Sequence, residues 1–181
     1  MTPAARQVVL VTGAPGSGKT TLSRPLAAEL GFALLAKDQI KETLHDILGS
    51  CGADLAWSTR LGAAAMELLW ALAADAPAVV LEANFWAGDE RNLRRIRALS
   101  DRPVVVSCMC PIAVAMDRYA NRRVSRHPVH AETMRNLGPD YFARWNRPIG
   151  IGELIAVDTT LPVDARDLAV EVRAKLPGLA R

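Results

Sequence analysis

Short apolar runs and helix-period segments alternate along this chain. Gln7–Thr12 (QVVLVT) is an unbroken β-branched run of the kind buried on both faces of a parallel sheet. Four further runs read as strands: Phe32–Ala36 (FALLA), Ala78–Leu81 (AVVL), Val104–Met109 (VVVSCM) and Leu154–Val157 (LIAV). Helical stretches separate them. Leu22, Leu26 and Leu30 recur every fourth residue and Gly31 stands where a C′ glycine would. Pro25 cannot donate to the carbonyl of Thr21, so a local bend is expected there. Gln39–Leu48 carries Ile40, Leu44, Ile47 and Leu48 on one stripe. From Ser58 to Ala74 most of the circumference is apolar, which predicts a largely buried helix. Pro111 suits an N1 position for a helix reaching about Arg123, and Asp164–Leu176 closes the chain with Pro177 as its stop. The rhythm predicts an α/β fold, a parallel sheet covered by helices on both faces.

Composition narrows the class. With 181 residues, half of them hydrophobic, one α/β domain is expected across the whole chain, with no internal repeat. A net charge of +3 suits a polyphosphate ligand but falls short of a dedicated nucleic-acid binder, and 5% aromatics leave few stacking platforms. Cys51, Cys108 and Cys110 form no CxxC pair, so a reduced, cytoplasmic protein is expected, with Cys108 and Cys110 as small hydrophobes on one strand face. The start MTPAARQ has no apolar signal core, and no run approaches the ~18 apolar residues of a membrane span. A soluble protein with no membrane partner follows as the expectation.

The chemistry starts at Gly13-Ala14-Pro15-Gly16-Ser17-Gly18-Lys19-Thr20, a complete Walker A loop followed by Thr21. Its glycines let backbone N–H groups close around phosphate, Lys19 reaches the β- and γ-phosphates, and Thr20 ligates Mg²⁺. In an open parallel sheet ligands bind beyond the carboxyl ends of the strands, so the polar residues there are the candidates. Asp38, after the second run, can receive or orient the proton of an attacking hydroxyl, or serve as N-cap to the helix from Gln39, or both. Lys41, one turn on, faces either an anionic substrate group or solvent. Glu82, ending the third run, fits a Walker B carboxylate on Mg²⁺ or a binder of substrate hydroxyls, with Asn84 adding a hydrogen bond. Asp158-Thr159-Thr160 borders the nucleotide base or begins a turn.

Arg118, Arg122 and Arg126 are spaced four apart, one cationic edge if the helix is continuous. That edge is a solvated face or an arginine lid over the transferring phosphoryl, with Pro128 ending the helix. Arg118 is assigned to the nucleotide. His127 and His130 lack a carboxylate or cysteine at metal-ligand spacing and read as polar lid residues. Trp57, Met66 and Trp70 either shape an apolar acceptor floor or pack in the core.

The set GAPGSGKTTL, Lys37-Asp38-x-x-Lys41 and Arg118-x-x-x-Arg122-x-x-x-Arg126-His127-Pro128 resembles the small P-loop kinases grouped with chloramphenicol phosphotransferase, the zeta toxins and the 5′-kinase domain of polynucleotide kinase. The resemblance implies a three-layer, AAA-type, adenylate-kinase-like core with strand order 2-3-1-4-5 and a lid at about residues 122–135. It also implies ATP and Mg²⁺ as cosubstrates and transfer of the γ-phosphoryl to a hydroxyl. By position, Asp38 matches the catalytic aspartate, Lys41 a substrate-phosphate arginine, Glu82-x-Asn84 an Asp-x-Asn substrate element, and Arg122 and Arg126 the lid arginines. Lysine at 41 and glutamate at 82 depart from the polynucleotide kinases, and a lysine cannot clamp phosphate bidentately. The expectation is therefore a kinase for a small-molecule hydroxyl of antibiotic, nucleoside or sugar type. Its rivals are a polynucleotide 5′-hydroxyl kinase and a nucleotide-dependent regulatory ATPase.

Overall fold

The computed structural model describes residues 6–49, 55–122, 126–130 and 137–177. Five strands, β1 (Gln7–Gly13), β2 (Ala33–Ala36), β3 (Ala78–Glu82), β4 (Val104–Met109) and β5 (Glu153–Asp158), form one sheet in the order β2-β3-β1-β4-β5. Every pairing is parallel; Val9, for example, lies between Val80 of β3 and Val104 of β4. The apolar runs predicted all five strands to within about a residue at each end, because each central strand is buried on both faces and so admits no polar alternation.

The helices among the described residues are α1 (Lys19–Leu30), α2 (Lys37–Leu48), α3 (Leu55–Asp75), α4 (Glu90–Leu99), α5 (Ile112–Asn121), α6 (Pro139–Ala143) and α7 (Ala165–Lys175). On one face of the sheet Leu22, Leu26 and Leu30 of α1 pack with Leu168 and Val172 of α7 over Val9, Val80, Val106 and Ile155. On the other, Leu69 and Trp70 of α3 and Leu93 and Ile96 of α4 cover Val8, Leu10, Leu81 and Val105. A third cluster joins Ala14 of the β1–α1 loop to Ala115, Phe142 and Trp145. It fixes α5 and α6 against the loop.

Helix α1 contains Pro25 and continues past it to Leu30. Several expectations change. In α2 the stripe is only half used: Ile40 packs on the core, whereas Ile47 is 74% and Leu48 57% exposed, and Lys41 is the helix's buried residue. Asp38 is not the N-cap, since Ala36 holds that position and Asp38 lies in the first turn. Helix α3 buries one face, through Leu61, Ala65, Leu69 and Ala73, and leaves Leu68 and Leu72 at the surface. Pro111 is the N-cap of α5 rather than its N1, and α5 stops at Asn121. Arg118, Arg122 and Arg126 therefore share no continuous helical edge.

Two helices escaped the periodicity reading. Helix α4 is announced by Asp89, whose carboxylate accepts from Asn92 N, and by buried Leu93 and Ile96 three residues apart among arginines. Helix α6 spans only five residues, too few for a period. Cys108 and Cys110 are buried free thiols but sit in different clusters, and Cys51 lies outside the described residues. Among the described residues no helix is long and apolar enough to cross a membrane.

Leu26, fully buried on α1, should cost about 2–5 kcal/mol on truncation to alanine. Ile47→Ser should change stability by no more than about 0.5 kcal/mol. Urea unfolding midpoints of the two variants test this division.

Candidate active site

The β1–α1 loop is shaped by what cannot fit beside it. Gly16 has φ +79°, and a Cβ there would collide with the carbonyl oxygen of Ala115 in α5. A Cβ on Gly13 would stand 2.5 Å from the carbonyl oxygen of Cys108. The loop backbone is thus pressed onto β4 and α5, and it closes on itself where Ser17 N donates to Ala14 O at 3.0 Å. Thr159, after β5, locks the far side with its hydroxyl 2.7 Å from Ser17 O. Lys19 is buried and donates from Nζ to Ala14 O at 2.9 Å. Burial pushes its ammonium below the ordinary lysine value, opposed by Glu82, Cys108 and Asp38.

Glu82 ends β3 beneath the loop. Thr20 Oγ1 donates to its Oε1 at 3.3 Å, while Oε2 is buried with no hydrogen-bond partner. Burial raises the Glu82 carboxyl above its ordinary value, with Lys19 pulling the other way. An orphaned carboxylate oxygen beside a threonine hydroxyl fits a hard divalent cation, so Thr20 and Glu82 are the residues that would hold Mg²⁺. Ser17 Oγ is likewise buried and unpartnered inside the loop.

Asp38 faces this group from the first turn of α2. Lys37 Nζ lies 3.0 Å from Oδ1, and an Arg126 Nη lies 3.6 Å from Oδ2. Burial favours the protonated acid, yet Lys37, His130 and Arg126 outweigh it and hold Asp38 well below the usual carboxylate range. Asp38 and Glu82 together line two cavities. One, of about 420 Å³, opens toward Thr20, Ser23, Gln39 and Arg126. The other, of about 200 Å³, runs toward Asn84, with Met66 and Phe85 among its apolar walls. Of the three apolar residues weighed as an acceptor floor, Met66 lines this cavity, Trp70 is core, and Trp57 donates to Gly49 O away from it.

Lys41 lines neither cavity. It is 3% exposed and donates to Ser58 Oγ at 2.8 Å, and Ser58 in turn donates to Val129 O at 2.8 Å. This chain ties α2 to α3 and to the segment 126–130. Two more contacts close the same seam: His130 Nε2 meets Glu42 Oε1 and His127 Nε2 meets Asp46 Oδ1, both at 2.9 Å. Asp38, Glu42 and Asp46 recur every fourth residue on α2, so one stripe of carboxylates receives Arg126, His130 and His127. The two histidines have carboxylate partners after all, on a helix some eighty residues earlier where local spacing could not reveal them. Val129 N donates to His127 Nδ1, which leaves the proton of the neutral ring on Nε2, pointing at Asp46.

The other lid arginines part company. Arg118 donates to Thr159 O at 2.8 Å and to Thr160 O at 3.1 Å. Arg122 caps the exposed end of α5. Both line a cavity of about 310 Å³ with Gly18, Thr21, Leu22, Pro25 and Thr159 to Val163, on the opposite side of the loop from Arg126. Thr159 and Thr160 thus border a cavity next to the loop, whereas Asp158 ends β5 and accepts from Thr160. The rest of the expected lid, residues 123–125 and 131–135, lies outside the described residues.

Sequence reasoning missed the aromatic wall. Tyr119, Tyr141, Phe142, Trp145 and Trp86 gather in one cluster, and Trp145 Nε1 donates to Asn84 O at 3.1 Å. The signal available was Trp86 two residues beyond Asn84 and the run Tyr141-Phe142-x-x-Trp145. A low overall aromatic content concealed their concentration at one place.

A parallel sheet in the order 2-3-1-4-5, with a glycine loop entering α1 and a carboxylate at the end of β3, is the fold of the small P-loop kinases. The chain belongs to the AAA domain family, whose sequence profile matches residues 8–137. It is similar to a candidate kinase from Chloroflexus aurantiacus J-10-fl, with 31% identity and a TM-score of 0.81 over 95% of this chain and 99% of that one. An APS kinase from Mycobacterium tuberculosis, solved with AMPPNP and APS, gives 22% identity and a TM-score of 0.57, covering 94% and 96%. A shikimate kinase from Acinetobacter baumannii with shikimate gives 18% and 0.51, covering 92% and 90%. At the identities of the last two the likeness is one of fold. A comparison of the sequence with curated proteins finds no significant match.

Burial, reinforced by Lys37 and Arg126, pushes the Lys41 ammonium down to about 8 from 10.5, against Asp38 and Glu42. Between those values the unfolded chain keeps a proton that the native protein has released, so this lysine makes stability rise with pH across that window. Lys41→Met should exceed the wild type in stability at pH 7 by about 1 kcal/mol or more. The advantage should shrink by pH 10, as read from urea midpoints at the two pH values.

Proposed function

We propose that the protein is an ATP- and Mg²⁺-dependent kinase that phosphorylates a hydroxyl of a small molecule. The observation that carries this reading is the shared wall: Asp38 and Glu82 separate a cavity on the phosphate-loop side from a smaller one beside Asn84. A switch ATPase needs only the first. The second is too small for a folded nucleic-acid end but suits a compact polar acceptor, which Asp38 and Asn84 can meet with hydrogen bonds. The gathering of phosphate loop, aspartate and arginines in one chain supports a single catalytic unit, and the free thiols Cys108 and Cys110 fit a reducing, cytoplasmic setting.

Residues Gly13 to Thr21 cradle the nucleotide phosphates through backbone N–H groups and Lys19, and the cavity beneath Arg118 receives the base. Thr20 and Glu82 hold the metal. Bound Mg²⁺-ATP supplies the transferable phosphoryl group and the charge that balances it. Asp38, ionised throughout the working pH range, accepts a hydrogen bond from the acceptor hydroxyl and fixes its direction. Its low proton affinity suits late proton acceptance, consistent with a loose transition state in which a strong base gains little. Arg126, held over the Tyr119 ring at 5.0 Å and reaching Asp38, brings a fixed positive charge to the acceptor side. Arg122 adds charge from the nucleotide side. Lys41 positions α2 through Ser58 and reaches substrate only by way of that helix.

Asp38→Asn should lower turnover by roughly 10²–10⁴-fold while ATP affinity stays near wild type. Turnover within a few-fold of wild type in a coupled ADP assay would reject Asp38 as the orienting group. Lys19→Ala, in contrast, should weaken ATP binding at least about tenfold, measured by calorimetry. Unchanged affinity there would remove the loop as the nucleotide site.

A further inference from the structure

Next to Trp145, which bonds to Asn84 at the smaller cavity, stands an exposed cation with no counter-charge among the described residues. Arg144, at the C-cap of α6, sits 5.7 Å from the ring centroid of Trp86 and 5.2 Å from those of Tyr141 and Trp145. Among the described residues no carboxylate lies within ion-pair distance of it. The neighbouring arginines are engaged: Arg126 with Asp38, Arg118 with two carbonyls, Arg91 and Arg95 with Glu67. Aromatic faces hold a guanidinium by its plane and leave its N–H edge open, which is the edge that forms paired hydrogen bonds to a carboxylate or phosphate.

The mounting is rigid. Phe142, 1% exposed, locks α6 against Ala14 and Ala115, and Trp145 is bonded to the backbone of Asn84, two residues before Trp86. Ring contacts link this group to the reacting centre: Tyr141 packs on Phe142, Phe142 on Tyr119, and the Tyr119 ring carries Arg126, which reaches Asp38. Two other candidates for anion recognition are withdrawn. Lys41 is buried on Ser58, and Lys37 is paired to Asp38.

We propose that Arg144, clasped by Trp86, Tyr141 and Trp145, receives an anionic group of the acceptor, so that the substrate is a hydroxyl compound carrying a carboxylate or phosphate. This rests on the kinase reading and names its substrate class. Recognition by a fixed guanidinium discriminates strongly between an anion and its neutral analogue, because the neutral compound forfeits a charge-assisted pair.

The test uses matched acceptors, D-gluconate with D-glucose, glycerol 3-phosphate with glycerol, and quinate with inositol, followed by ADP release and phosphorus NMR of the product. Wild-type enzyme should phosphorylate at least one anionic member with kcat/KM more than about tenfold above its neutral partner. Arg144→Met, which keeps a long apolar stem on the rings, should raise the acceptor KM about 10–100-fold with kcat within a few-fold and ATP affinity unchanged. Arg144→Lys, which restores the charge without the fork, should recover part of the loss. Equal use of neutral and anionic partners, an acceptor KM unmoved in Arg144→Met, or an ATP-binding enzyme that phosphorylates none of the anionic members would overturn the proposal. Failure to bind ATP would instead bring down the kinase reading itself.

Discussion

Gly16 can carry no side chain, because the loop that contains it is pressed against the Ala115 carbonyl, and much of the site follows from that contact. An anion-binding loop of this kind needs its backbone held in one conformation, and seating on β4 and α5 holds it. The same contact fixes α5, and α5 carries Arg118 across to the residues after β5. Thr159 closes the ring by reaching back to Ser17. A tightly determined backbone is needed here, since an anion-binding loop works through the direction of its amides rather than through its side chains.

Charge is arranged with similar economy. Lys19 and Glu82 are buried together and each blunts the desolvation of the other, while Asp38 stays ionised with Lys37 and Arg126 beside it. Removing any one partner leaves a buried charge uncompensated, which is more costly than the pair is stabilising. The α2 helix is central to this balance. Its first turn presents the aspartate, and its next two turns present the carboxylates on which His130 and His127 rest. Asp38 and the docking strip of the 126–130 segment are therefore carried on one helix.

The sheet was legible in the sequence because strands buried on both faces must be continuously apolar, and QVVLVT or VVVSCM permits little else. The phosphate loop was legible because backbone geometry demands glycine at fixed offsets. Helix ends were less so: α5 stops at Asn121 although the arginine spacing continues. Ile47 and Leu48 look like core from periodicity alone, and only the tertiary arrangement leaves them in solvent. Lys41 looked solvated or substrate-facing and is instead the buried residue of its helix. The pairings of Glu42 with His130, and of Asn84 with Trp145, join residues far apart in the chain, and neither side shows a local pattern that calls for the other.

The gathering of aromatic rings around Arg144 has an optical side. Two of the four tryptophans, Trp86 and Trp145, belong to that wall, whereas Trp70 is sealed beneath α4 beside Phe85. Indole emission responds to local polarity and to nearby charge, and Trp86 is the partly open indole under the Arg144 guanidinium. The chain thus carries a native fluorophore beside the Arg144 guanidinium, able to register the arrival of a solute there without label or turnover.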